Sequence, residues 1–229
     1  ARGMNKALLA AGADLVDYRL YKRIKFASLA LQATCPPGHL IDIENAALFG
    51  SEAIPCKAII HNCDWAFIVS GMGLHPDALL ALRKIGVKIA CWFTESPYDT
   101  ETERELYLAQ FCDVAFVNER TSVKDFQMLL DKRGGLAVYL PHAYDPELHK
   151  PSAPDMDNIC DVLFVGTGFT ERQWLLEAID WEGIDLRLGG TWVGIQKPSH
   201  LADHIKYPCL DNKDVVKLYH GAKIVLNPH

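Results

Sequence analysis

The residues best suited to chemistry fall into two groups. The first lies in Ile159-Cys-Asp-Val-Leu-Phe-Val-Gly-Thr-Gly-Phe-Thr-Glu-Arg172, where an apolar β-branched run meets a glycine break and a helix start. Gly166, Thr167 and Gly168 would leave backbone N–H groups beside the positive end of a helix dipole, an arrangement that attracts phosphate. Arg172 would add a charge-assisted contact to the same anion. The plain alternative is a tight strand-to-helix turn, because Gly-Thr-Gly is neither a P-loop nor a complete dinucleotide fingerprint.

The second group lies in loops of the first half. Glu95 and Asp99 flank Ser96-Pro97 and could act as a general base on a hydroxyl or bind hydroxyls; a turn uses the same residue types. His142 could donate to a phosphate or take a proton, and a packed histidine is the alternative. Gly71 and Gly73 could let backbone approach a ligand, or simply make the turn before a helix opened by His75-Pro76. Trp192, after Gly189-Gly190, could stack on a base or be buried. Asn227 ends a strand and could touch a ligand's polar groups. His200 and His204 have the spacing of a zinc pair, but no third ligand is evident, so no metal site is expected.

These loops need elements to hold them. Apolar runs at Cys63–Val69, Val87–Phe93, Val114–Val117 and Ala137–Leu140 read as strands, alternating with helical segments at Ala78–Ile85, Thr100–Phe111 and from Thr121 or Ser122 to Leu130. Met4, Ala7, Leu8 and Leu9 mark an opening helix, Leu15–Tyr18 reads as a short strand, Tyr21–Thr34 as mixed helical and Ile41–Phe49 as amphipathic. A second series runs through strand Val162–Val165, a helix from Glu171 capped by Thr170, strand Ile184–Leu188, helix Asp214–His220 and strand Lys223–Leu226. The pattern predicts an α/β fold of two Rossmann-like, doubly wound parallel-sheet lobes, apparently truncated at both ends. The lobes are expected at 1–145 and 159–229, joined by a proline-bearing crossover at 146–158.

Composition agrees with a globular chain. Of 229 residues, 49% are hydrophobic and 23% charged, with net charge −6, which gives no global footprint for nucleic acid. No apolar run is long enough to span a bilayer. Seven scattered cysteines without a CxxC pair read as free thiols in a reducing cytoplasm.

Five stretches in order resemble the CgeB-like (spore-maturation type) glycosyltransferases, which have the two-lobed GT-B architecture. They are Phe93-Thr-Glu-Ser-Pro-Tyr-Asp99, Val117-Asn-Glu-Arg-Thr-Ser122, Tyr139-Leu-Pro-His-Ala-Tyr-Asp-Pro-Glu-Leu-His149, Leu163–Arg172 and Leu218-Tyr-His-Gly-Ala-Lys-Ile-Val-Leu-Asn227. The resemblance implies transfer of a sugar from a nucleotide sugar, a UDP-sugar first, without a tightly bound metal. It puts the donor diphosphate near Gly166, Thr167, Gly168 and Arg172, and the acceptor at the strand-end loops of the first lobe, across an inter-lobe cleft. The donor-gripping carboxylates of such enzymes would lie beyond His229. Two rivals are a non-catalytic nucleotide- or partner-binding module and a transferase acting on modified bases in DNA. For the latter, Arg19, Lys22, Arg23 and Lys25 form the notable basic cluster, which a solvated helix face also explains.

Overall fold

Trp65–Val69 is apolar throughout and forms strand β1. It leads a parallel sheet in the order β1-β2-β3-β4, with β2 at Lys88–Phe93, β3 at Val114–Val117 and β4 at Leu136–Tyr139. The register runs through Ile68 opposite Cys91, Cys91 opposite Ala115 and Ala115 opposite Ala137. This computed structural model describes residues 2–36, 38–96, 103–192, 194–195 and 199–227. The chain divides into two units, Ala1–Ala143 and Tyr144–His229.

Helices α1 (Arg2–Ala10), α2 (Leu20–Thr34) and α3 (Ile43–Ile60) precede the first sheet. The Asp42 side chain caps α3 by accepting from Glu44 N–H at 2.9 Å. Leu15–Tyr18, expected as a strand, is irregular backbone instead. It is latched to α3 by the Tyr18 hydroxyl donating to Gly50 O at 2.6 Å and Lys57 Nζ donating to Asp17 O at 2.6 Å.

Helices α4 (Pro76–Lys84), α5 (Glu103–Ala109) and α6 (Val123–Leu130) connect the strands. Ile89, Cys91, Phe93, Ala115 and Val117 pack on Leu79, Leu82, Leu108, Phe126 and Leu130. Each such buried Leu or Phe contributes about 1.5–3 kcal/mol, so this layer is the unit's main source of stability. The opposite face of the sheet is also apolar but open. Trp65, Phe67 and Val69 are 47%, 37% and 46% exposed, and Trp92 and Phe116 beside them are half-buried.

The second unit holds β5 (Cys160–Val165), α7 (Thr170–Glu177), β6 (Leu186–Gly189), β7 (Ile205–Tyr207), α8 (Asn212–Gly221) and β8 (Ala222–Val225). Both faces of its sheet are covered at the central strand β5. Val162 and Phe164 meet Leu176 of α7 and Leu201 of a 3₁₀ turn, while Leu163 and Val165 meet Leu218 of α8. The strand order is β7-β6-β5-β8, all parallel. The fold is therefore α/β, built from two Rossmann-like parallel-sheet units.

Candidate functional site

Strand order locates the crevice of the second unit. Numbered by appearance, its strands run 3-2-1-4, so the order reverses between β5 and β8. In open parallel sheets ligands bind outside the carboxyl ends of the strands at such a reversal. The residues that follow these two strands are Gly166–Phe169 and Leu226–Asn227. Leu226 N–H donates to Leu163 O at 2.8 Å, which carries the β5–β8 pairing to this end and leaves Asn227 exposed.

The Gly166–Phe169 turn is more tightly tied than its sequence implies. Gly166 N–H donates to Gly189 O at 3.0 Å and Gly168 N–H to Thr191 O at 2.8 Å. Those two amides extend the pairing with β6 and are taken, which corrects the expectation that they point at a ligand. Thr167 is exposed between them. Arg172 Nη1 donates to Thr167 O at 2.9 Å, and its guanidinium lies 5.6 Å from the Phe164 ring and 5.1 Å from that of Phe169. Gln173 Nε2 reaches Gly168 O at 2.7 Å. The first turn of α7 thus clamps the loop that precedes it.

Phe169, not Thr170, occupies the position before α7, and no side chain caps the helix. Its first-turn N–H groups have no intrahelical acceptor and stand at the positive end of the dipole. The amides of Thr170 and Glu171 stand at that end of the helix, whereas those of Gly166 and Gly168 are taken by Gly189 O and Thr191 O. Trp192 does not offer a free ring face at this point. It meets Phe164 edge-on at 5.6 Å, its Nε1 donates to Gly189 O at 3.2 Å, and it packs against the core beneath the turn.

In the first unit, the carboxyl ends of β2, β3 and β4 converge through Asn118. Its Nδ2 donates to Thr94 O at 2.8 Å and lies 3.1 Å from His142 Nε2. Trp92 Nε1 donates to Leu140 O at 3.2 Å, and its ring lies 5.8 Å from that of His142. Glu95 is exposed, with Thr94 Oγ1 3.4 Å from its Oε1. Glu119 accepts from Ser96 Oγ at 3.3 Å. Asp99 lies outside the described residues. The structure thus brings Glu95 and His142 to one edge of the sheet, and it adds Asn118 and Glu119. Their signal in the sequence was a polar Asn-Glu pair directly after an apolar strand.

Gly71 and Gly73 serve the turn after β1. Their φ angles are +73° and +75°, and a β-carbon on Gly73 would lie 2.7 Å from Ile24 Cδ1. Gly71 N–H is spent on Val69 O at 2.8 Å. His75 caps α4, its Nδ1 accepting from Asp77 N–H at 3.3 Å. His204 Nδ1 lies 3.1 Å from Leu186 O, and no cluster of three or more metal-ligating side chains occurs among the described residues. Of the basic cluster, Arg19 pairs with Asp17 at 2.9 Å and Arg23 lies over Tyr18. A hollow of about 520 Å³ opens at the amino ends of β1 and β2, lined by Asn62, Asp64, Trp65 and Lys88. It lies at the end of the sheet opposite the converging loops, and the topology favours the latter.

No family model matches this chain, and no curated protein matches it. Solved structures do. A complex of S. aureus MnaA with UDP superposes with a TM-score of 0.52 at 12% identity, over 87% of this chain and 62% of that one. A Listeria monocytogenes protein described as a UDP-N-acetylglucosamine 2-epimerase gives 0.51 at 14% identity, over 86% and 61%. The fold is GT-B-like. At such identities the likeness is one of fold, and the GT-B-like chain spans about three fifths of the length of these structures. No helix among its described residues is long and apolar enough to cross a membrane.

Proposed function

We propose that this chain is part of a glycosyltransferase of the CgeB-like kind that takes its sugar from a UDP-sugar. The observation that carries the reading is the reversal of strand order between β5 and β8 beside the uncapped start of α7. There the N–H groups of the first helical turn, Thr167 and Arg172 would hold the diphosphate, with Asn227 at the adjacent strand end. UDP as the nucleotide draws support from the fold shared with the UDP complex of MnaA.

The strand-end loops of the first unit would present the acceptor. A carboxylate, Glu95 or Asp99, would take the proton of the acceptor hydroxyl as its oxygen bonds to the anomeric carbon. The bond from that carbon to the diphosphate oxygen breaks, and UDP leaves with the electron pair. The charge that grows on the diphosphate is met by helix amides and by the Arg172 guanidinium, fixed in advance and costing no rearrangement.

The test is a melting series with UDP, GDP, dTDP and their sugars, followed by chromatography of the nucleotide sugar. A nucleotide at a hundred times its Kd stabilises by about 2.7 kcal/mol through mass action. Stabilisation by UDP and release of UDP from a UDP-sugar are the expected results. Binding without turnover would point to a non-catalytic module, and conversion to an isomeric UDP-sugar without UDP release to an epimerase. An intact fold that no nucleotide stabilises would remove the reading.

A further inference from the structure

We infer that Asn118 fixes the ring proton of His142 on Nδ1 and leaves Nε2 to accept, which makes His142 a hydrogen-bond donor to a ligand oxygen and not the proton acceptor of the site. The inference rests on the proposed function only for the identity of the ligand. The lock itself follows from donor and acceptor geometry.

The Thr94 carbonyl oxygen can only accept a hydrogen bond. The atom of the Asn118 amide that lies 2.8 Å from it is therefore the nitrogen, which settles which way the amide faces. That nitrogen carries two hydrogens. One goes to Thr94 O, and the other is the hydrogen left for His142 Nε2, 3.1 Å from the amide nitrogen. An amide N–H cannot accept, so Nε2 must supply its lone pair and the ring proton must sit on Nδ1.

The rest of the corner keeps this arrangement in place. Leu140 N–H donates to Val117 O at 2.8 Å, which prolongs the β3–β4 pairing up to two residues before His142. Trp92 grips Leu140 O and stands against the imidazole. Asn118 is half-buried and His142 exposed, so the ring edge carrying Nδ1 is the one left for solvent and ligand. Among the described residues Nδ1 has no partner. With Nε2 covered, proton removal at these strand ends falls to a carboxylate, and of those described Glu95 is exposed.

The experiment uses the full chain labelled with 15N-histidine, studied by long-range 1H–15N correlation at pH 8.5. The expected spectrum shows His142 protonated on Nδ1, a shift in Asn118→Ala towards the Nε2-protonated form that an unconstrained histidine favours, and a full reversal to it in Asn118→Asp, whose carboxylate only accepts. An Nε2-protonated His142 in the unsubstituted protein overturns the lock, whatever its activity.

Turnover of a UDP-sugar then tests the donor role. His142→Gln, which keeps a donor, should stay within about threefold of the parent, while His142→Phe falls about tenfold, the worth of one lost hydrogen bond. Glu95→Gln should fall a hundredfold or more, the usual scale for a lost general base. If His142→Gln is as inactive as His142→Phe and Glu95→Gln is unaffected, His142 is the base and the inference is wrong. If no nucleotide sugar is turned over, the functional reading and the donor role fall together, while the spectrum still decides the lock.

Discussion

Gly190 stands directly against Gly166: a β-carbon built at position 190 would overlap the Gly166 carbonyl oxygen. The two glycines let the loops after β5 and β6 run side by side, and Gly190 also needs its left-handed φ of +108°. Replacing Gly190 by Ala forces the β5–α7 turn outward. The expected loss is about 2 kcal/mol or more from the backbone strain and overlap, read by urea unfolding. UDP stabilisation should fall with it. A Gly190→Ala protein of unchanged stability would mean that the turn yields freely and does not define the crevice.

The Arg172 guanidinium is already held at that turn by Thr167 O and the two phenylalanine rings. Arg172→Gln should weaken UDP binding about tenfold, the worth of a single charge-assisted contact, as measured by calorimetric titration. Equal affinities in the two proteins would take Arg172 out of the site.

Asp161 and Lys223 contribute to the pH dependence of stability at its acid and base ends. The Lys223 ammonium, 2.6 Å from the Asp161 carboxylate, holds that carboxyl below its usual range, aided by Asp185 N–H, and Asp161 raises the lysine in turn. A lowered carboxylate contributes fully above its unfolded value, about 3.9, and loses that contribution as pH falls through the folded one. A raised lysine contributes fully below about 10.4 and loses it as pH rises through its folded value. The pair should add a plateau between these limits. Asp161→Asn should flatten the acid limb in a series of melting curves, and salt should shrink the difference because the lysine is well exposed.

Arg187 ties three segments together. It meets the Asp185 carboxylate at 2.9 Å, Ile159 O at 2.6 Å and the Tyr207 hydroxyl at 3.1 Å. The bonds to Asp185 and Tyr207 push its pKa further above the usual guanidinium range, so it stays charged across the accessible pH scale. Arg187→Met should cost about 2 kcal/mol of stability, mostly from a hydroxyl and a carbonyl left without their charged donor. Arg187→Lys should recover only part, since an ammonium lacks the planar fork. Denaturant midpoints would reveal either failure.

The parallel-sheet plan was legible because its strands are apolar runs cut by glycine. Val114–Val117 matches the observed strand end to end, and Cys63–Val69 and Val87–Phe93 overrun theirs by one or two residues. The sequence signal of helix α3 reaches only to Phe49, because Gly50 and Pro55 look like breaks. Gly50 is instead the contact at which α3 meets Ile24 of α2, and Pro55 is carried inside the helix. Strand β7 has no such signal, because it has three residues and pairs beside an irregularity at Leu188 and Gly189. The glycine turn after β5 was found, but a pattern of residue types does not reveal that its amides pair with β6. Nor does it reveal that Asn118 reaches His142 from 24 positions away.

The bare side of the first sheet should govern how the protein behaves on the bench. Trp65, Phe67 and Val69 sit on a strand with no charge of its own, although Lys88 of β2 lies 5.4 Å from the Trp65 ring, and Leu136 at the far border is 55% exposed. Strong retention on phenyl resin, bright fluorescence with apolar dyes and early salting-out should follow. A lysine at position 67 should relieve all three while leaving the helix-backed side of the sheet undisturbed.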